Sequence, residues 1–156
     1  MSNKFPLSQK YIDFINTTNV SAEFLEGTTA SGKTTVGAGV KFMRMVSQSP
    51  KKLHAIAAKT TGKAEETIIQ QDNGILDLHR NAVYCGNGDK DYKLPHIKFE
   101  DKIIYILGYS SRDKWEMVLG AQFGCVYIDE INTADIEFIR EMSTLSLIHI
   151  SEPTRH

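Results

Sequence analysis

The stretch that decides the fold is EFLEGTTASGKTTVG, residues 23–37. Eight consecutive residues within it, from Gly27 to Thr34, match the pattern G-x-x-x-x-G-K-[ST] at every fixed position. An apolar segment precedes the pattern, and a segment with helical apolar periodicity follows it. A strand, a glycine-rich loop and a helix in this order surround nucleotide phosphates with backbone N–H groups. We therefore predict a phosphate-binding loop rather than a flexible turn of small residues.

Each residue type in this loop has a physical role. Gly27 and Gly32 permit backbone angles that are closed to other residues, so that consecutive N–H groups can turn inward around a phosphate. Lys33 is expected to reach the β- and γ-phosphates and to act in catalysis, and Thr34 is expected to bind Mg²⁺ through its hydroxyl. The other predicted nucleotide-binding positions are Thr28, Thr29, Ala30, Ser31 and Thr35.

A second motif, CVYIDE, is predicted to complete the nucleotide site. Its apolar residues form a strand that ends in Asp129 and Glu130, and charges at the end of a buried strand are costly unless they meet a cation or water. Asp129 is expected to hold Mg²⁺ through a water molecule, and Glu130 is expected to polarise the attacking water as general base. The alternative is that the acidic pair only caps the following helix, whose N-terminal dipole favours negative charge.

The acidic pair also narrows the class of nucleotide-binding protein. An adjacent Asp and Glu at the end of a strand resembles the acidic pair of ATPases that have an additional strand and a catalytic glutamate, among them helicases and packaging motors. The sequence between Lys33 and Asp129 leaves room for at least one further strand. Gln9, eighteen residues before Gly27, is a candidate for binding the adenine edge, because an amide donates and accepts hydrogen bonds at once. The alternative for Gln9 is a surface position on a helix.

The composition is that of one soluble globular domain. The chain has 156 residues, of which 41% are hydrophobic and 24% charged, with 18 basic and 19 acidic side chains. This balance argues against a protein that coats nucleic acid through a basic excess, and a motor that contacts DNA through one face is still compatible with it. The two cysteines, Cys85 and Cys125, are expected to be free thiols without metal-ligand spacing, and the five histidines show no ligand pattern.

The apolar segments alternate in a way that predicts an α/β fold. Strands are expected at residues 21–26, 53–58, 96–100, 102–109 and 124–130, and the segment AVYCGNGDKDYKLP is expected to be a loop or hairpin. Helices are expected at residues 8–16, 33–46, 60–78, 111–123 and 132–143, and Gly74 leaves open where the third of them ends. In the last helix we expect Thr133 near the N-cap and Ile136, Ile139 and Met142 on one face. The predicted fold class is a P-loop NTPase of the additional-strand, catalytic-glutamate type, with a mostly parallel sheet flanked by helices on both faces and incomplete at the C-terminus.

Three segments are more specific than the phosphate loop alone. They are FLEGTTASGKTT, ILGYSSRDKWEMVLGAQF before the acidic strand, and DEINTADIEFIRE at its end. Together they resemble the N-terminal ATPase domain of the large terminase subunit of tailed bacteriophages, over most of residues 6–144. The resemblance assigns residues 1–144 to a partial ATPase domain and implies that the C-terminal nuclease domain of such proteins is absent from this sequence.

The resemblance also implies a function and a setting. Such a motor hydrolyses ATP with Mg²⁺ to drive double-stranded DNA through a portal protein into a preformed capsid. Further implied properties are a small terminase subunit as partner, a homo-oligomeric ring when assembled, no membrane association, and a location in the host cytoplasm and transiently at the procapsid portal. The alternatives are a helicase-like or other additional-strand ATPase, and a nucleotide-binding fragment without turnover.

Two features depart from the family pattern. Many terminases carry a basic residue at the variable positions of the phosphate loop as a transition-state cation, and this loop has none. Arg112 or a residue of a neighbouring subunit is a candidate substitute, and the alternative for Arg112 is a solvated residue at a helix start. Residues 145–156, LSLIHISEPTRH, resemble the translation of a sequencing-adapter read-through, so that we expect them to lie outside the fold. The alternative is a short apolar strand in LSLIHI.

Overall fold

A computed structural model of the chain describes residues 9, 22–27, 34–118, 120–130, 133–143 and 147–153. Seven strands in these ranges form one sheet. In chain order they are β1 (Ala22–Gly27), β2 (Leu53–Ala58), β3 (Ala82–Cys85), β4 (His96–Phe99), β5 (Lys102–Gly108), β6 (Cys125–Asp129) and β7 (Leu147–Pro153). Their spatial order is β1-β7-β6-β2-β5-β4-β3. The first five in this order are parallel, and β4 and β3 continue the sheet antiparallel at one edge. The predicted mostly parallel sheet is confirmed.

Helices cover both faces of this sheet, as predicted. They are α1 (Thr35–Phe42 continued by Met43–Gln48), α2 (Thr61–Ala64 continued by Glu65–Ile69), α3 (Ile75–Leu78), α4 (Arg112–Glu116) and α5 (Ile136–Ser143). The first three share a buried apolar cluster with one face of the sheet, and α4 and α5 share a second cluster with the other face. Within the described ranges, every helix is too short or too polar to span a bilayer.

Strands β2 and β6 lie between the two helical layers, and this position explains their composition. Residues 54–58 of β2 and every residue of β6 are buried. A strand with helices on both sides has no polar face, so that its side chains are apolar in both directions. The two exceptions are His54, near the start of β2, and Asp129, at the end of β6.

The predicted helix over residues 60–78 is interrupted. Thr60 caps α2 by accepting a hydrogen bond from a backbone N–H one turn later, at 3.0 Å, but the helix ends at Ile69. Asn73 adopts a φ of +59°, and Gly74 is extended before α3 begins. A Cβ on Gly74 would lie 2.8 Å from two carbonyl oxygens of the preceding turn. A helix that continues to Leu78 is therefore wrong, because this close turn separates α2 from α3 at the glycine where the sequence had left the helix end open.

Helix α5 buries Met142 as predicted, but Phe138 takes the place predicted for the two isoleucines. Phe138 and Met142 are fully buried, whereas Ile136 is 65% exposed and Ile139 is only partly buried. Residues four apart lie on the same side of a helix, and the large ring of Phe138 removes more apolar surface from water than Ile136 could. The aromatic side chain therefore sets the orientation of the helix.

The C-terminal segment belongs to the sheet. β7 lies between β1 and β6 and pairs with both in parallel. The expectation that residues 145–156 lie outside the fold is wrong for residues 147–153, and the alternative of an apolar strand is confirmed. The sequence between Lys33 and Asp129 contains the four strands β2 to β5, which all lie on the other side of β6 from β7. The proposal that this segment stems from adapter read-through stays a prediction.

Two antiparallel connections form the far edge of the sheet. β4 and β5 form a hairpin, with Glu100 at a φ of +54° in its turn. The segment predicted as a loop or hairpin pairs β3 with β4, which places Ala82 opposite Phe99 and Cys85 opposite His96. Both cysteines are free thiols, as expected.

His54 ties the start of β2 to the start of β6. Its Nε2–H donates to the Lys51 carbonyl at 2.9 Å, and its Nδ1 accepts from the Cys125 backbone N–H at 3.0 Å. This tautomer is neutral and satisfies both ring nitrogens of a fully buried side chain. Burial lowers the pKa of His54 from 6.5 to about 4, and the charge of Lys102 acts in the same direction.

We expect this histidine to make folding stability depend on pH. Because the folded-state pKa is depressed, the stabilisation is complete above pH 6.5 and is lost as the pH falls toward 4. The shift corresponds to roughly 3 kcal/mol of unfolding free energy. Urea denaturation between about pH 4 and 7 should show this slope for the natural chain and a flatter slope for His54→Gln. An imidazole that titrates at its ordinary pKa in a proton NMR spectrum would contradict the assignment.

A candidate nucleotide site at the carboxyl edge of the sheet

Strands β1 and β6 end at the same edge of the sheet. Both pair in parallel with β7, which places Gly27 opposite Pro153 and Asp129 opposite Ser151. Neighbouring strands are about 4.8 Å apart, so that β1 and β6 are separated by about 10 Å. Open α/β sheets bind their ligands outside the carboxyl ends of the strands. The two halves of the predicted nucleotide site therefore meet at the expected edge.

Helix α1 begins at this edge, directly after the predicted phosphate loop. Thr34 already has helical backbone angles, and Thr34 and Thr35 are half-buried. The helix packs over β6, where Phe42 and Tyr127 meet edge to face with ring centroids 6.2 Å apart. Its first turn contains no acidic side chain, so that the positive end of the helix dipole is not neutralised by the helix itself. Residues 28–33, including Lys33, lie outside the described residues, and their roles stay predictions.

Asp129 and Glu130 lie where the buried strand meets the edge. Asp129 is 8% exposed and ends β6, and Glu130 is half-buried and follows at once. Glu130 has a φ of +51°, a left-handed conformation that is uncommon for residues other than glycine. Such conformations persist only where the surroundings enforce them, and they cluster at functional sites.

Tyr109 and Thr133 enforce this conformation. The buried hydroxyl of Tyr109, which follows β5, lies 3.1 Å from both the Asp129 and the Glu130 carbonyl oxygens. The backbone N–H of Thr133 donates to the Glu130 carbonyl at 2.9 Å, and the Thr133 hydroxyl lies at the same distance from that oxygen. Burial raises the pKa of Tyr109, so that the phenol keeps the proton it donates. Sequence reasoning did not assign Tyr109 to the site. The one sequence feature that could have indicated this role is its position directly after an apolar strand.

The geometry excludes the helix-capping alternative for the acidic pair. Helix α5 begins at Ile136, six residues after Glu130. The carboxylate that caps it belongs to Asp135, whose Oδ1 accepts from the Glu137 backbone N–H at 2.8 Å. Thr133, predicted near the N-cap, lies two residues before Asp135 in the turn that holds Glu130.

Arg112 is engaged by two carboxylates. Its Nε contacts Glu116 and its guanidinium contacts Glu137, both at 2.5 Å. The same guanidinium lies 5.5 Å from the centroid of the Trp115 ring. Arg112 begins α4 and is 55% exposed, which matches the alternative of a solvated residue at a helix start. Its role as a transition-state cation stays a prediction.

The described residues thus bring together part of the predicted site. Gly27, Thr34, Thr35, Asp129 and Glu130 belong to elements that meet at one edge of the sheet. Gln9 is helical and exposed, which is compatible with a surface position, and its contact with a nucleotide stays a prediction.

Comparisons with known proteins bear on the fold. No family model matches the chain, and no curated protein matches it. Solved structures of the large terminase from a thermophilic bacteriophage do match. One crystal form superposes with a TM-score of 0.71 at 16% identity, over 95% of this chain and 39% of that chain.

Two further structures of the same terminase contain nucleotides. The complex with ATP-gamma-S matches with a TM-score of 0.67 at 16% identity, over 94% of this chain and 38% of that one. The complex with ADP matches with a TM-score of 0.68 at 16% identity, over 94% and 39% of the two chains. The present chain spans about two fifths of the terminase length. At this level of identity the likeness shows the fold alone, an α/β fold like that of these terminase structures.

Proposed function

We propose that the chain binds and hydrolyses ATP with Mg²⁺ at the carboxyl edge formed by β1, β7 and β6. The observation that carries this proposal is the end of β6, where a buried Asp129 is followed by a Glu130 held in a left-handed conformation. The predicted phosphate loop directly follows β1, which lies at the same edge with only β7 between it and β6. A hydrolytic site needs these two elements close together.

The donor set fits Mg²⁺, a hard cation that prefers oxygen ligands. The Thr34 hydroxyl and the Asp129 carboxylate are oxygen donors from the two elements that flank the edge. Bound Mg²⁺ neutralises phosphate charge. Lys33 holds the β- and γ-phosphates by charge-assisted hydrogen bonds, and Glu130 accepts a proton from the attacking water. The Glu130 backbone that carries this carboxylate is fixed by Tyr109 and Thr133.

We further propose that this ATPase is the motor of a viral large terminase. The support is the terminase-like fold together with the three sequence segments that resemble that family. In this function, hydrolysis drives double-stranded DNA through a portal protein, in a homo-oligomeric ring and together with a small terminase subunit. These partners and the cytoplasmic setting follow from the family resemblance.

The nucleotide site can be tested by removing its predicted cation. Lys33→Ala should raise the dissociation constant of a fluorescent ATP analogue about 10- to 100-fold, since a charge-assisted hydrogen bond contributes about 1.5–3 kcal/mol. The matched control is Lys51→Ala, an exposed lysine just before β2 at the opposite edge of the sheet. Equal affinity of the Lys33→Ala variant and the natural chain would defeat the site assignment.

A further inference from the structure

Three potential metal ligands meet at the sheet edge farthest from β1. Cys85 and His96 lie opposite each other at the end of the β3–β4 hairpin where the connecting loop begins and ends. Asp89 belongs to the loop that joins the two strands, and its Oδ1 accepts from the backbone N–H groups of Asp91 and Tyr92. The ligand atoms of these three side chains all lie within 4.8 Å of one another. The strand order separates this cluster from the nucleotide site by the width of the sheet.

His96 supplies the observation that points to a ligand. The side chain is completely buried, and its Nδ1 lies 2.8 Å from the Leu94 carbonyl oxygen. That contact places the ring proton on Nδ1, so that Nε2 carries a lone pair. Nε2 is buried and makes no hydrogen bond to any described residue. A histidine that donates one ring N–H to a backbone carbonyl while the other nitrogen stays open has the arrangement of a metal ligand.

The open nitrogen faces a carboxylate. The distance between His96 Nε2 and Asp89 Oδ2 is 3.3 Å. Two ligands at about 2.0 Å from a tetrahedrally coordinated metal are about 3.3 Å apart. Both atoms are acceptors in this tautomer, so that they need a cation between them, either a second imidazole proton or a metal ion. A proton shared between His96 and Asp89 would need no third ligand nearby. The thiol of Cys85 lies in the same cluster, and its presence favours a metal ion over a proton.

We infer that Cys85, Asp89 and His96 bind a divalent transition-metal cation of the zinc class. Thiolate, imidazole and carboxylate are the ligands that zinc takes in proteins, and soft sulfur disfavours Mg²⁺ and Ca²⁺. Cys85 and Asp89 are only half-buried, which leaves a fourth position open to water. The ion cross-links the two strands and the loop at the sheet edge.

Lys98 competes for this site. Its Nζ lies 2.6 Å from Asp89 Oδ2, the same oxygen that faces His96. The lysine side chain is 47% exposed, so that it can turn into solvent when a metal ion binds. Removing the Lys98 charge should therefore strengthen metal binding. If the cluster has only a structural role, the same change removes the Lys98–Asp89 ion pair and gives no gain in metal affinity.

Cobalt substitution and zinc titration test the inference on the full chain. Co²⁺ should produce a thiolate-to-metal charge-transfer band, and titration with Zn²⁺ against a chromophoric chelator should give one tight site. Cys85→Ser and Asp89→Asn should each weaken Zn²⁺ binding about 10- to 100-fold, and Cys85→Ser should abolish the band. Lys98→Met should tighten binding severalfold. The matched control, Asp91→Asn, changes an exposed carboxylate two residues from Asp89 and should bind as the natural chain does.

The outcomes separate the metal site from its rivals. A natural chain without a cobalt band, or a band that survives in Cys85→Ser, would overturn the inference. An NMR spectrum in which His96 is doubly protonated at neutral pH in the presence of Zn²⁺ would favour the plain ion pair instead. If Asp89→Asn does not fold, the Lys98→Met titration still decides, because weaker or unchanged binding in that variant contradicts the proposed competition.

Discussion

Glu130→Gln should bind ATP about as tightly as the natural chain and hydrolyse it at least about 100-fold more slowly. A general base contributes about 10²- to 10⁴-fold to a rate, and an amide in the same position cannot take the proton. The backbone of residue 130 is held through its carbonyl oxygen by Tyr109 and Thr133. The substitution leaves those contacts in place, so that the loss reports the carboxylate itself.

The measurement is single-turnover hydrolysis of radiolabelled ATP, in the absence and presence of DNA. The matched control is Glu66→Gln, an exposed residue of α2, which should turn over at the natural rate. Duplex DNA rather than single-stranded DNA should raise the rate, if the ATPase drives packaging. Turnover that survives in Glu130→Gln would show that Glu130 is not the base, and stimulation by single-stranded DNA alone would favour the helicase-like alternative.

The strands beside the site were predictable because burial leaves a strong local pattern. β2 and β6 are covered on both faces, and a short continuous apolar run is the sequence signature of such a strand. The end of the run at Asp129 marked the edge of the sheet. The motif positions Gly27 and Thr34 could be assigned to that edge because parallel strands present their carboxyl ends together.

The details that the sequence did not reveal depend on contacts between distant segments. Asn73 adopts its left-handed conformation in a turn between two helices, and in the sequence only the neighbouring Gly74 marks that break, since the apolar periodicity continues through it. Tyr109 reaches the Glu130 turn only because β5 and β6 flank β2. Cys85 and His96 are separated by a loop, and only the register of β3 on β4 brings them opposite each other.

The C-terminal strand shows a different limit of sequence reasoning. The run LSLIHI has the composition of a buried strand. The resemblance of residues 145–156 to a sequencing-adapter read-through nevertheless predicted that they lie outside the fold. The sheet has a position between β1 and β6 that pairs on both sides, and an isolated apolar segment gains two ladders of backbone hydrogen bonds there. Local composition was the better guide in this case.

Trp115→Ala is the core substitution with the largest expected effect on stability. Trp115 is 1% exposed, and its ring meets Phe138 edge to face with centroids 5.3 Å apart. Removing a buried Trp or Phe side chain typically costs about 3–5 kcal/mol, a large share of the roughly 5–15 kcal/mol by which domains are stable. Urea denaturation followed by circular dichroism measures it, since Trp115 is the sole tryptophan and its fluorescence is lost in the variant.

Trp115→Ala should also lower the rate of ATP hydrolysis at the nucleotide site. Phe138 also contacts Tyr109, at a centroid distance of 5.8 Å, so that Trp115, Phe138 and Tyr109 form one aromatic row from the core to the turn that holds Glu130. Loosening this row in Trp115→Ala should slow hydrolysis at a temperature where the variant is still folded, and ATP affinity should change less than the rate.

Trp115→Phe separates ring packing from the polar edge of the indole. Trp115 Nε1 is buried without a hydrogen-bond partner among the described residues, and an unsatisfied buried donor costs about 1–3 kcal/mol. Phenylalanine removes this donor and keeps an aromatic ring against Phe138, so that its cost should be less than half that of alanine. Met117→Ala, at a residue that is 66% exposed, should change stability by no more than about 0.5 kcal/mol. If Trp115→Phe lowered the free energy of unfolding as much as Trp115→Ala, the indole N–H would have a hydrogen-bond partner. The aromatic row would then depend on that hydrogen bond and not on ring packing.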